Sequence, residues 1–347
     1  MKDLIYNSSS PIREALSFDD VLLVPQYSDI ESRRAVDLTA ELSGELKFDL
    51  PVISSPMDTV TETEMAGAMA VYGGLGIVHR YNTIAEQVEI VRNSKGTVGA
   101  AIGVSGDFEE RACALSDAGA KVLCVDVAHG HHTLMKNALA RLREVFGSEI
   151  HIMAGNVATL EAFDALSRWG ADSIRVGIGG GSICSTRLVS GHGIPTFQSV
   201  LECSRSEYDT KIIADGGIKT TGDMVKALAA GADFVMVGSM LAGTKETPGE
   251  VFVGAEGKQY KVYRGMASNA AQKDWRGRSS TPEGVSTTIP YKGPVHIMLD
   301  DIRGGVCSGL SYSGARTLSE LRSKAKFIKQ TSAGQNESFT HILRRDK

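Results

Sequence analysis

The chain has 347 residues, 42% hydrophobic and 22% charged, with a formal net charge of −4. This suits a globular protein whose core needs no staples, and it excludes a basic nucleic-acid surface and any apolar run long enough for a membrane helix. Five cysteines without close pairing and an N-terminus without an apolar signal region predict a reduced, cytoplasmic protein.

In chain order, SFDDVLLVPQYSD (17–29) reads as a cap. Eight short, nearly continuous apolar runs follow: 50–56, 74–79, 98–103, 121–128, 150–157, 173–179, 211–217 and 234–239. Strands covered on both faces have this character. Helical stretches lie between them, including 61–73, 109–120, 160–171 and 220–232, and several end in Gly-Ala, a stop signal. Strict β/α alternation means a parallel sheet, and eight strands favour a closed (β/α)8 TIM barrel, one domain for the whole chain. Two segments break the repeat. Residues 250–266 read as a hairpin, and the polar, turn-rich stretch after it reads as an exposed loop, a flap at about 267–290. The tail, about 330–347, has no strong period and is expected to be disordered or docked on a neighbour.

Barrel chemistry sits where strands end. Position alone therefore selects Ser55, Met57 and Asp58; Asp126 and His129; Gly155 and Asn156; residues 177–186; Asp215, Gly216 and Gly217; and Gly238 and Ser239. The loop GIGGGSICSTR (177–187) is the most informative. Four glycines in five residues let amides approach an anion or carbonyls circle a cation. Cys184 in the same loop is a candidate nucleophile, and spacing alone leaves open a small buried thiol after a flexible turn. Loops after the last two strands commonly hold phosphate; Gly216, Gly217, Gly238 and Ser239 could supply amides, with Tyr263 and Arg264 as added donors, or these glycines could simply make tight turns. His129, His131 and His132 are adjacent in one loop and cannot all face one ion, so a loop or cofactor-contact role is preferred over zinc. Glu283 and Trp275 could be lid residues or solvated loop residues.

Together with SFDDVLLVP, SSPMDTVTE, DVAHGH, AGNVAT, ADGGI, GADFVMVGSMLAG, YKVYRGM, PEGV and PYKG, the 177–187 loop resembles the IMP dehydrogenase/GMP reductase family over nearly the whole chain. The resemblance implies that Cys184 attacks the purine C2 to form a thioimidate, with Thr186 and Glu283 handling protons. It implies a purine mononucleotide, GMP or IMP, with its 5′-phosphate held by Ser182, Gly217, Gly238, Ser239 and Tyr263. Asp215 would bind the ribose, and Ser55, Met57, Gly216, Gly265 and Met266 would complete the substrate site. Asp126, Ala128, His129, Asn156 and Arg175 would face the nicotinamide cofactor. Carbonyls of Gly177, Gly179 and Cys184 would hold potassium; Glu337, Ser338 and His341 would complete a second potassium site from a neighbouring subunit of a homotetramer.

The chain departs from the family in two ways. NSKGTVGA (93–100) runs from helix to strand without the paired CBS module of typical IMP dehydrogenases. The stretch from Met266 to Glu283 is short and contains DWRGR in place of the Arg-Tyr pair that activates water in the dehydrogenase, although Arg276 or Arg278 could replace that arginine. The missing module leaves the chemistry open, since the barrel is complete without it; the short flap favours GMP reductase with NADPH, the alternative being IMP dehydrogenase with NAD.

Overall fold

Each of the eight apolar runs forms a strand of one closed, all-parallel barrel. The computed structural model describes residues 12–278 and 280–340. Ahead of the barrel lie β1 (Val21–Leu23), β2 (Ala40–Ser43) and β3 (Leu46–Phe48). The barrel strands are β4 (Val52–Ser54), β5 (Leu75–Val78), β6 (Val98–Ile102), β7 (Val122–Asp126), β8 (His151–Val157), β9 (Ser173–Val176), β10 (Lys211–Asp215) and β11 (Phe234–Val237). They pair in chain order, and β11 closes on β4 through Val235–Val52 and Val237–Ser54.

Helices α1 (Thr63–Val71), α2 (Ile84–Asn93), α3 (Phe108–Asp117), α4 (Thr133–Phe146), α5 (Leu160–Arg168), α6 (Thr186–Ser190), α7 (Thr196–Cys203) and α8 (Thr221–Ala229) alternate with the strands. Their boundaries follow local chemistry. Thr83 and Glu86 form a capping box on α2, and Thr220 and Asp223 do so on α8. The Gly-Ala stops work as at Gly231, whose φ of 121° turns the chain so that Ala232 N–H donates to the Ala227 carbonyl at 3.0 Å. The α2 helix ends at Asn93 and β6 begins at Val98, so nothing is inserted between the second and third barrel strands.

The N-terminal segment serves two ends of the barrel. The β2–β3 hairpin buries Leu42 and Phe48, and Phe48 meets Phe234, the first residue of β11, edge to face at 5.7 Å. Phe18 instead packs on Phe197 of α7 at 5.9 Å, towards the other end.

After the barrel, β12 (Phe252–Val253) and β13 (Gln259–Arg264) form the expected hairpin, and α9 (Asn269–Arg276) and β14 (Ser286–Pro290) follow. The flap is therefore not the irregular loop its composition suggests: it contains a helix, and β14 adds a third strand to the hairpin. The chain continues through α10 (Val295–Tyr312), α11 (Leu318–Lys324), β15 (Phe327–Lys329) and α12 (Ser332–Glu337). Part of the tail expected to be disordered or docked on a neighbour is thus a helix, α12, and just before it β15 pairs antiparallel with β1. No helix among the described residues is long and apolar enough to cross a membrane.

Candidate active site

The strand ends converge on a cleft of about 440 Å³. Ser55, Met57, Asp126, Ala128, Asn156, Arg175, Gly177, Gly179, Cys184, Thr186, Asp215, Gly216, Tyr263, Gly265, Met266 and Glu283 all line it. An adjoining cavity of about 220 Å³ is lined by Ser182, Gly217 and Ser239, and the two share Gly180. Gly238 lies between them. A Cβ there would fall 2.8 Å from Ser55 Oγ and 3.3 Å from the Tyr263 hydroxyl, so only glycine leaves those groups in place.

Cys184 is exposed, the one such thiol among five free cysteines. Its Sγ lies 3.1 Å from Thr186 Oγ1. Main-chain bonds hold the loop against the flap: Ser185 N donates to the Glu283 carbonyl at 3.0 Å, and Val285 N to the Ile183 carbonyl at 3.0 Å. Glu283, a hundred residues away in sequence, is thereby brought beside Cys184 and Thr186.

The same cleft holds a charged network. Arg175, 7% exposed, donates to Asp126 Oδ1 and, at 2.8 Å, to Asp215 Oδ2. Burial works against its charge, but the two carboxylates keep it a cation well above ordinary pH. Asn156 Nδ2 donates to Asp215 Oδ2 and to the Gly177 carbonyl, both at 2.8 Å. Tyr263 hydroxyl is 3.4 Å from Ser182 Oγ, and burial raises its pKa. Ser55 Oγ and Thr196 Oγ1 are buried without a hydrogen-bond partner.

Several candidates lie apart from this convergence. His129 is exposed and not among the cleft-lining residues; His131 rests on Trp169 at 5.8 Å, and His132 caps α4 by accepting from Leu134 N. Among the described residues no group of three or more His, Cys, Asp or Glu could hold a metal. Glu337 and Ser338 are exposed at the end of α12, beside the Phe18–Asp20 turn. His341 lies outside the described residues. Arg264 pairs with Asp58 at 2.7 Å and with Asp274 at 2.5 Å, fastening α9 to the loop after β4.

The geometry adds residues that the sequence reading passed over. Arg80 and Tyr81 follow β5 and line the cleft; Arg80 donates to the Asp126 carbonyl at 3.0 Å, and Tyr81 stacks on Trp275 of α9 at 6.0 Å. The strand-end rule that picked Asp126 would have picked them too. Thr196, Lys219 and Phe18 line the smaller cavity; Phe18 lies in the SFDDVLLVP stretch, and no local motif marks Thr196 or Lys219.

The model of the IMP dehydrogenase / GMP reductase domain matches residues 15–341. The chain belongs to this family. Its members are oxidoreductases that act on purine nucleotides with a nicotinamide cofactor. The chain is 35% identical over 472 residues to an inosine-5′-monophosphate dehydrogenase of Nitrosopumilus maritimus, covering 95% of this chain and 98% of the relative. It is 33% identical over 479 residues to a GMP reductase of Leishmania major, covering 95% and 97%. A crystal structure of a cysteine-to-alanine variant of GMP reductase from Trypanosoma brucei, in complex with guanosine 5′-monophosphate, superposes with a TM-score of 0.91 at 32% identity, covering 97% of this chain and 99% of that one. Both kinds of IMP dehydrogenase/GMP reductase relative align over far more positions than the 347 residues present here, so the missing internal segment does not separate the two activities.

Proposed function

We propose that this member is a GMP reductase, converting GMP to IMP and ammonia with NADPH through a thioimidate on Cys184. The observation that carries the reading is the meeting of an exposed thiol, the Thr186 hydroxyl and Glu283 in one cleft that opens onto a glycine-lined cavity.

The smaller cavity suits a 5′-phosphate: Ser182, Ser239 and Tyr263 offer hydroxyls, and Gly217 and Gly238 bring main chain close. Asp215, fixed by Asn156 and Arg175, accepts from ribose hydroxyls. The base then rests against Met57, Gly265 and Met266 with C2 facing Cys184. The thiolate adds at C2, and Thr186 with Glu283 carries a proton to the departing amine, so ammonia leaves and the thioimidate remains. Asp126, Ala128, Asn156 and Arg175 line the same cleft as Cys184 and offer polar groups that a nicotinamide carboxamide would meet there. A nicotinamide held there supplies the hydride that gives IMP on release of the thiolate. The carbonyls of Gly177, Gly179 and Cys184 would supply oxygen ligands to potassium, the Gly177 carbonyl while also accepting from Asn156 Nδ2 at 2.8 Å. The residues Glu337, Ser338 and His341 would serve a second potassium site across a homotetramer interface.

The reductase needs no activated water, which agrees with a flap that holds α9 and no Arg-Tyr pair. One observation favours IMP dehydrogenase with NAD: an arginine and a tyrosine do stand together at the cleft, the Arg80 guanidinium lying 5.6 Å from the centre of the Tyr81 ring. Nicotinamide absorbance followed with GMP plus NADPH, and separately with IMP plus NAD, each with and without potassium, decides between them. Consumption with GMP supports the reductase; production with IMP overturns it. Cys184→Ala should lower turnover by about 10³-fold or more in either case, and intact turnover would remove the covalent mechanism.

A further inference from the structure

The flap helix carries a side chain with no part in the chemistry above. Gln272, on the second turn of α9, is 5% exposed. A buried carboxamide is costly unless both of its ends are satisfied. Here they are: Nε2 donates to the Ala267 carbonyl at 2.9 Å, and Oε1 accepts from Ser280 N and from Ser280 Oγ, both at 2.9 Å. Ala267 leads into the helix and Ser280 leads out of it, so this one side chain clasps the two ends of the flap together.

The clasp continues to the reacting groups. The Ala267 carbonyl also accepts from Glu283 N at 3.1 Å, and the Glu283 carbonyl accepts from Ser185 N at 3.0 Å. Gln272, Ala267, Glu283 and Ser185 thus form one unbroken hydrogen-bonded path that ends next to Cys184. The helix bearing Gln272 is itself fixed to the barrel, through Asp274 on Arg264 and Trp275 on Tyr81. We propose that Gln272 is a positioning residue: it sets where Glu283 stands relative to Cys184 and Thr186 without touching substrate. A residue that merely filled space under α9 would not need both ends of a carboxamide engaged with the segments flanking Glu283. The inference rests on the proton-transfer role given to Glu283 above.

The test measures kcat and KM for the full chain and its Gln272→Met, Glu283→Gln and doubly substituted forms, using whichever of GMP with NADPH or IMP with NAD turns over. Methionine keeps the volume and loses the clasp. Gln272→Met should lower kcat ten- to a hundredfold, because misplacing a catalytic group by about an ångström has that effect, while the nucleotide KM stays within about twofold and the thermal midpoint is retained. The double variant should be no slower than Glu283→Gln alone. Wild-type kcat in Gln272→Met, or losses that multiply in the double variant, overturns the clasp and leaves the role of Glu283 standing. If Glu283→Gln keeps full kcat, both the role of Glu283 and this inference fall. Gln272→Glu keeps the acceptor for Ser280 and loses the donor to Ala267; it should show the same kcat loss, and it decides the matter if the methionine variant does not fold.

Discussion

His151 shows how a single buried side chain sets a pH limit on the whole fold. It opens β8 at 4% exposure, with Nδ1 and Nε2 each 2.8 Å from a serine hydroxyl, Ser43 and Ser173. Burial lowers its pKa from 6.5 to about 4, with the Asp172 charge opposing that shift and Arg143 adding to it. The unfolded chain therefore binds a proton that the folded chain refuses between about pH 6.5 and pH 4, so stability should fall as pH drops through that window, by up to about 3 kcal/mol. Urea unfolding across the window should show this slope, and His151→Asn should remove most of it. Arg175 is the opposite case, a buried cation made tolerable by Asp126 and Asp215. Arg175→Leu leaves two carboxylates facing each other and should cost about 3–5 kcal/mol in the same experiment, with the nucleotide site disordered as well. At this scale the sequence was partly legible. Asp126, Asn156 and Asp215 stand at strand ends and could be chosen by position, but Arg175 as the ion linking two of them could not, because the link runs between strands far apart in the chain.

Individual elements show where local signals were used and where they were overlooked. The barrel strands declared themselves by apolar runs, and the helices by caps and Gly-Ala stops. The helix α9 carried equally good signals, Ser268 accepting from Ala271 N at its start and Gly277 with φ 66° at its end, yet the polar composition around it read as loop. The strand β14 carried a β-branched run, Thr287, Thr288 and Ile289 after Val285, which the polar surroundings hid, and β13 offers it an edge from Tyr260–Pro290 to Arg264–Ser286. The loop after β9 gives this scale its sharpest prediction. A Cβ on Gly177 would fall 1.9 Å from the Asp215 carbonyl oxygen, so Gly177→Ala must push the 177–187 loop away from β10. Turnover should drop at least about a hundredfold, while thermal unfolding shows the barrel still folded.

The two ends of the described chain meet, and this joins the tail to the nucleotide site. In β15, Lys329 pairs with Val21, Gln330 N donates to the Asp20 carbonyl at 2.8 Å, and Phe327 sits edge-on to Phe197 at 5.1 Å. These contacts hold the Phe18–Asp20 turn, which forms one wall of the smaller cavity. Truncation after Lys326 should therefore raise the nucleotide KM several-fold with a smaller change in kcat, since the Cys184 loop keeps its own supports; an unchanged KM would show that the wall holds without β15. The sequence alone determined the parallel barrel, the count and order of its strands and the identity of the loop that bears Cys184, because apolar period, caps and glycine runs act between near neighbours along the chain. The resemblance already grouped Glu283 with Cys184; only the tertiary structure decided which main-chain bonds bring it there, that Arg175 links Asp126 to Asp215, that Gln272 clasps the flap and that β15 returns to β1. Each of these depends on barrel closure to join segments distant in the chain, and pairing at that range leaves no periodic trace in either partner.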